Sequence, residues 1–224
     1  MNAVIIVAGG IGKRMGSALP KQFLLLNGQP VIINSIKPFL NFDPKIKVII
    51  VLPKEHIDTW HTACSEHGFH VEHEVVVGGD TRYQSVKNGL QAVRNADWVA
   101  IHDSVRPLIN KEFVKSCFDS AKQNGNAIPC IEVNETVREA IPSGNKQLNR
   151  NNIKLIQTPQ VFETKKLKKA YELTFSNEFT DDASVIEASG EKIYLIEGLK
   201  QNIKITTEID FKIAECLFAH FEKH

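Results

Sequence analysis

Short apolar runs rich in β-branched residues recur along the chain, with stretches of helical period between them. The runs Val4 to Ala8, Val48 to Leu52, Glu74 to Val77, Trp98 to Ile101 and Ala127 to Ile131 are nearly continuous in hydrophobicity. That is the habit of strands buried on both faces of a parallel sheet. Between Thr81 and Arg94, Val86, Leu90 and Val93 fall on one helical face, and between Thr207 and Phe221 so do Ile209, Ile213 and Leu217,. The alternation predicts an α/β three-layer sandwich with a mostly parallel sheet and right-handed crossovers.

One stretch breaks the rhythm. From Glu132 to Ile156 the chain is polar, with Pro142-Ser143-Gly144-Asn145 between two strand-like arms, the signature of a hairpin around a turn. So polar a hairpin cannot supply its own core, so it is expected to pack on the body of the chain or to reach a second copy. No low-complexity linker or internal repeat interrupts the rest. The segmentation is therefore one domain over residues 1–224, with a protruding arm at about 132–156.

Composition narrows the partners. The chain has 224 residues, enough to bury a core without metals or disulfides,. Lys and Arg number 27 against 26 Asp and Glu, a net charge of +1, so neither nucleic acid nor an acidic membrane surface is indicated,. Any cationic site must be local. Cys64, Cys117, Cys130 and Cys216 show no CxxC or Cys/His ligand spacing, which predicts buried, reduced thiols,. The apolar stretch Ala3 to Ala8 is too short for a membrane span or a signal core, so the expected location is the cytoplasm,.

In open α/β sheets ligands sit beyond the carboxyl ends of the strands, so the residues just after each run carry the information. After the first run comes Gly9-Gly10-Ile11-Gly12-Lys13-Arg14, after the third Gly78-Gly79-Asp80-Thr81-Arg82, and after the fourth His102-Asp103-Ser104-Val105-Arg106-Pro107. Lys204 stands just before a helix that Thr207 is able to cap,. Glycines, cations and one acid converge on one edge. The first loop lacks the GxxxxGK[ST] order, and Leu52-Pro53-Lys54 stands where a ribose-binding carboxylate would end the second strand,. What remains is a loop able to wrap a triphosphate with backbone amides while Lys13, Arg14 and Lys21 neutralise its charge,.

Asp103 then suits magnesium or another hard divalent cation, which prefers one or two carboxylates plus phosphate oxygens,. His102 points to the opposite side of its strand and reads as structural,. His61, His67, His70 and His73 have no ligand spacing and read as surface residues.

The motifs "VAGGIGKRMG…LPKQF", "GGDTRYQSVKNGL", "HDSVRP", "QTPQVF", "TDDASVIEASG" and "NIKITTEIDFKIAE" resemble, in order and spacing, the 2-C-methyl-D-erythritol 4-phosphate cytidylyltransferase family of the non-mevalonate isoprenoid pathway. The likeness runs from Val4 to about Glu215. It implies a Rossmann-like nucleotidyltransferase fold and a reaction joining CTP to a polyol phosphate with loss of pyrophosphate. It also implies that Arg14 and Lys21 stabilise charge on the α-phosphoryl group. Ala8, Gly9, Gly10, Gly79, Asp80 and Ser85 would line the CTP pocket with Gly12 and Lys13 in its loop, Asp103 would hold magnesium, and Lys204 would lie near the reacting phosphates. The arm would interlock two subunits, so that Thr136 and Arg150 hold the polyol phosphate bound to the neighbouring chain. Arg106 and Thr180 match further substrate contacts, and Thr158 a position near the reaction centre.

The chain departs from the usual family pattern at Ala8-Gly9-Gly10 (Ala-Ala-Gly), Asp103-Ser104-Val105-Arg106 (Asp-Ala-Ala-Arg) and Glu135-Thr136 (Asp-Thr). Ribitol 5-phosphate is the alternative acceptor, since cytidylyltransferases for it share most of these motifs. A nucleotide-binding regulatory protein without catalysis is a third reading; it would predict erosion of the cations and the acid, whereas Arg14, Lys21, Asp103, Arg106, Arg150 and Lys204 are all present.

Overall fold

Each apolar run forms a strand of one sheet, and helices alternate with them through the first half of the chain. The computed structural model describes residues 1–9 and 19–221, with side chains through 219. Strand β1 (Asn2–Val7) leads, past a 3-10 turn at Lys21–Phe23, to the short pair β2 (Leu25–Leu26) and β3 (Gln29–Pro30) and to helix α1 (Val31–Phe42). There follow β4 (Lys47–Leu52), α2 (Ile57–Glu66), β5 (His73–Val77), α3 (Arg82–Ala92), β6 (Trp98–Asp103), α4 (Lys111–Asn124) and β7 (Asn126–Glu132). The remainder contains β8 (Arg138–Ile141), β9 (Gly144–Gln147), β10 (Lys154–Ile156), β11 (Gln160–Glu163), α5 (Thr164–Ala170), α6 (Asp182–Ala188), β12 (Leu195–Glu197) and α7 (Glu208–Phe221).

The eight-stranded sheet has the order β10-β7-β11-β6-β1-β4-β5, with β12 also paired to β7. From β6 through β1 and β4 to β5 every pair is parallel. Beyond β6 the sheet is mixed: β11 runs antiparallel to both β6 and β7, and β10 antiparallel to β7. The reason is the connection. Parallel neighbours need a crossover, usually a helix, whereas β10 and β11 return directly from the arm.

Each face of the sheet carries its own core. One packs Ile32, Ile33, Ile36 and Phe39 of α1, Trp60 of α2 and Phe113, Val114 and Phe118 of α4 on Val4, Ile6 and Ile50. The other packs Tyr83, Val86 and Leu90 of α3 with Leu167 of α5 and Val185 and Ile186 of α6 on Ile5, Ile49 and Ile101. Alternate residues of β1 and β4 thus serve opposite faces, which is why these runs are apolar throughout. Helix α3 lies so close to the sheet that a Cβ on Gly89 would come within 2.9 Å of methyls on Ile5 and Val51. A third, smaller cluster seats α7 through Ala214 and Phe218 on Leu26, Val31, Val105 and Ile205.

The arm is shorter than the sequence suggests. Glu132 ends β7 and residues 154–156 form β10, so both belong to the main sheet. The hairpin is confined to β8 and β9, with Ile141 opposite Gly144 across Pro142-Ser143, and every residue from 138 to 147 is exposed. Its stem is ended by a 3-10 turn at Arg150–Asn152, where the Asn149 side chain accepts from the Asn151 N–H at 3.1 Å, an Asx-type cap that competes with strand pairing. In the single chain the hairpin does not bury itself on the body.

Two other expectations need correction. Of the cysteines, Cys117 is buried, Cys64 and Cys130 are half-buried and Cys216 is exposed on α7. His73 is not a free surface residue: its Nε2 accepts from Trp60 Nε1–H at 3.0 Å and its Nδ1 lies 2.6 Å from the Val71 carbonyl. The buried indole needs an acceptor, and the edge strand β5 provides one.

Candidate active site

At the carboxyl ends of β1, β5 and β6 the chain encloses a cavity of about 230 Å³, lined among others by Gly9, Lys21, Asp80, Arg82, Asp103 and Lys204. Gly79 and Ser85 border it as well. The described residues of the loops that the sequence marks out therefore meet at one place. Gly10, Gly12, Lys13 and Arg14 lie outside the described residues.

The glycine loop after β5 is tied to the helix that follows. Thr81 caps α3 by accepting from the Gln84 N–H at 3.0 Å, and the Ser85 hydroxyl donates to the Thr81 carbonyl at 2.9 Å while accepting from the Gly79 N–H at 3.1 Å. A Cβ on Gly79 would fall 2.2 Å from Gln84 Cγ, so the loop takes this path only with glycine there. On the β1 side, Ala8 is buried, its N–H donating to the Val51 carbonyl at 2.9 Å and its carbonyl accepting from Gln22 Nε2 at 3.1 Å. Gln22, buried beside Lys21, thereby links the 3-10 turn to the end of β1.

Asp103 ends β6 with a nearly buried carboxylate among three cations. Lys204 Nζ stands 2.9 Å and Arg106 Nε 3.3 Å from its Oδ2, while Arg82 Nε is 3.9 Å from Oδ1. Burial alone would raise this carboxyl; the charges of Lys204, Arg82 and Arg106 override it and hold the group well below the usual range,. It stays ionised at any working pH. Arg82 is anchored from behind by Asp182, with Nη2 to Oδ2 at 2.6 Å, and the other Asp182 oxygen accepts from the Tyr171 hydroxyl at 2.6 Å. Burial would lower Arg82, but Asp182 and Asp103 raise it, so it is a permanent cation.

Among the described residues no group of three or more His, Cys, Asp or Glu is able to hold a metal ion. A hard divalent ion shared between one carboxylate and phosphate oxygens needs no such cluster. Asp103 fits that arrangement, because among the described residues its Oδ1 has the longer Arg82 contact while the short contacts load Oδ2.

Thr158 is buried, and its hydroxyl accepts from the Asp103 N–H at 3.1 Å and meets His102 Nδ1 at 3.0 Å. It touches the reaction edge through the backbone of Asp103. His102 is buried on the opposite side of β6, its ring edge-on to Phe39, and burial pushes it down to about 4, so it is neutral. Arg106 is also largely withdrawn: besides Asp103 it donates from Nη1 to the Asn202 carbonyl at 2.7 Å, and it is not among the residues lining the cavity.

Thr136 and Arg150 are not brought to this cavity within one chain. They line a separate open pocket of about 650 Å³ on the arm with Val137, Gln147 and Asn151, where Arg150 donates to the Asn134 carbonyl. Thr180 is exposed, next to Asp181, the residue that caps α6.

Two residues escape a reading from sequence alone. Arg82 is one charge among many until Thr81 is known to start a helix, which turns the next side chain toward the strand ends. Gln22 has no sequence signal beyond its place in "LPKQF".

A buried, permanently ionised carboxylate among cations, beside glycine loops at the strand ends, is suited to polyphosphate chemistry without a histidine base. The fold and site define a nucleotidyltransferase. A profile of the 2-C-methyl-D-erythritol 4-phosphate cytidylyltransferase family matches residues 2–220, and the chain belongs to that family. It is 51% identical over 213 residues to the 2-C-methyl-D-erythritol 4-phosphate cytidylyltransferase of Bacteroides fragilis, covering 95% of this chain and 97% of that one. The Bacteroides thetaiotaomicron protein of the same name is 48% identical over 215 residues, covering 96% and 98%. The crystal structure of the Francisella tularensis enzyme superposes with a TM-score of 0.77 at 31% identity, over 96% of this chain and 98% of that chain. That of 4-diphosphocytidyl-2C-methyl-D-erythritol synthase from Anaerococcus prevotii superposes at 0.83 and 26% identity, over 97% and 96%.

Proposed function

We propose that this chain transfers the cytidylyl group of CTP to the phosphate of 2-C-methyl-D-erythritol 4-phosphate, releasing pyrophosphate, and that it works in the cytoplasm as a homodimer. The observation that carries the reading is the cation set around Asp103, with Lys204 at 2.9 Å and Lys21 on the same cavity, facing the glycine loops of a family with this activity.

A phosphate monoester has a second pKa near ~6 and is mostly dianionic at neutral pH, so the nucleophilic oxygen needs no base. That oxygen bonds to the α-phosphorus of CTP as the bond from the α-phosphorus to the bridging oxygen breaks, and the departing electron pair leaves with pyrophosphate. The obstacle is bringing two polyanions together in line. Lys21 and Lys204, with Arg14 in the first loop, offset the charge that develops on the phosphoryl oxygens. Asp80, Ser85 and the backbone at Gly9 and Gly79 shape the nucleotide side of the cavity. A divalent cation held by Asp103 and phosphate oxygens would supply further charge neutralisation when bound.

The exposed hairpin supports the dimer reading: Thr136 and Arg150 sit apart from the cavity in one chain and would complete it only in a neighbour's. The direct test is pyrophosphate release from CTP with magnesium, run in parallel with 2-C-methyl-D-erythritol 4-phosphate and with ribitol 5-phosphate. Turnover with the first is expected. Turnover with ribitol 5-phosphate alone would move the acceptor, and none with either would remove the transferase reading.

A further inference from the structure

We infer that His102 is a positioning residue of this site, acting with Thr158 to hold the turn that carries Asp103 and Arg106. The inference rests on the transferase reading for its kinetic readout alone. Along residues 103–106 nearly every backbone group has a fixed partner. The Asp103 N–H donates to Thr158 Oγ1 at 3.1 Å, Ser104 N–H to the Val7 carbonyl at 3.1 Å and Arg106 N–H to the Asp103 carbonyl at 3.2 Å. The Ser104 carbonyl accepts from Ser35 Oγ at 2.9 Å and that of Val105 from the Ile205 N–H at 3.0 Å, while the Arg106 carbonyl lies 3.1 Å from His102 Nε2. His102 and Thr158 thus grip the two ends of the turn, the Asp103 amide and the Arg106 carbonyl. They also grip each other, at 3.0 Å.

With the ring neutral, one proton arrangement satisfies all three contacts. The Arg106 carbonyl only accepts, so Nε2 carries the hydrogen; Nδ1 must then accept from the Thr158 hydroxyl, whose oxygen in turn accepts from Asp103. This arrangement makes Nδ1 the acceptor and the Thr158 hydroxyl the donor in the contact at 3.0 Å,. Neighbouring β6 positions Val99, Ala100 and Ile101 are apolar. A polar ring among them is costly to bury unless both nitrogens are satisfied, as they are here. What the ring adds over an apolar residue is a fixed span between the residue holding the carboxylate and the residue holding one of its cations.

The test compares His102→Phe and Thr158→Val with the milder His102→Gln, which can still reach the Arg106 carbonyl, and Thr158→Ser, which keeps the hydroxyl. Pyrophosphate release is measured per CTP-binding site, CTP affinity by calorimetry, and the imidazole nitrogens by 15N NMR. The expectation is a loss of ~10- to 100-fold in kcat for His102→Phe and Thr158→Val, as for other groups that orient a reacting side chain, with CTP affinity within about threefold. The milder variants should lose distinctly less, and the double variant His102→Phe/Thr158→Val no more than the worse single one. The spectrum should show hydrogen on Nε2, with the Nδ1 signal shifted in Thr158→Val. If kcat per site stays within about threefold in both severe variants, or the hydrogen sits on Nδ1, the inference is overturned. If wild type is silent with both acceptors, the transferase reading fails, and the tautomer decides this one.

Discussion

At the scale of single residues, the site depends on a few charges and one missing Cβ. Removing a preorganised donor of this kind typically costs ~100- to 1,000-fold in rate. Lys21→Ala and Lys204→Ala are therefore each expected to lower kcat by at least that factor, read from steady-state pyrophosphate release; a loss under tenfold in either would remove that lysine from the reaction. Gly79→Ala and Gly9→Ala separate space from composition. An added methyl at Gly79 meets Gln84 at 2.2 Å, whereas at Gly9 it meets Ser85 Oγ at an ordinary 3.6 Å. CTP titrations should show the larger loss of affinity for Gly79→Ala, and the reverse order would mean that the loop does not follow this path when CTP binds. The glycines and Lys204 stand out in the sequence because they follow strands or precede a cap. Arg82 and the Thr158 contact with the Asp103 amide do not, because they depend on which side chains meet across 21 residues or more of chain and carry no local periodicity.

At the scale of elements, caps decide where the loops of the site begin and end. Thr207 and Asp210 form a reciprocal cap on α7: Thr207 Oγ1 accepts from the Asp210 N–H at 3.2 Å, while Asp210 Oδ2 accepts from the N–H groups of Thr206 and Thr207 at 2.8 and 2.7 Å,. Burial would raise the Asp210 carboxyl, but the bonds from Thr206 and Thr207 prevail and hold it below its ordinary 3.8. A carboxyl lowered in the folded state stabilises fully above its unfolded value and loses that contribution as pH falls through the folded one. Asp210→Ala should thus lower stability at pH 7, by less than the ~1 kcal/mol typical of losing an N-cap itself because solvent screens the carboxylate. Urea unfolding at pH 7 and near pH 3 tests this: the gap from wild type should narrow in acid, and a constant gap would exclude the carboxylate as the cause. Thr207 as a cap was legible from "NIKITTEID". The extent of the arm was not, since Asn149 ends its stem through a side-chain bond that hydropathy does not register.

At the scale of the whole molecule, the cavity and the arm are separate within one chain. If Arg150 acts on a neighbour's substrate, neither Arg150→Ala nor Lys21→Ala homodimers would be active, yet mixed dimers would hold one intact site. Co-refolding the two variants should recover a substantial fraction of wild-type activity, measured against the fraction of mixed dimers by native mass spectrometry. Proven mixing without recovery would mean that Arg150 acts within its own chain or not at all, and sedimentation as a monomer would remove the dimer itself.

Five strands of the sheet, their alternation with helices and the edge where the glycine and cation loops gather were legible in the sequence, because these follow from local periodicity and from loops whose residue types have a steric or electrostatic reason to be there. Family membership was legible too, since six ordered motifs span almost the whole chain. It took the tertiary structure to show that Asp103 is shared among Lys204, Arg106 and Arg82, that Arg106 turns to the Asn202 carbonyl and does not line the cavity, and that the sheet becomes mixed beyond β6. Those features are distances between residues far apart in the chain. They arise only when two cores close on the sheet and bring the ends of β1, β5 and β6 together.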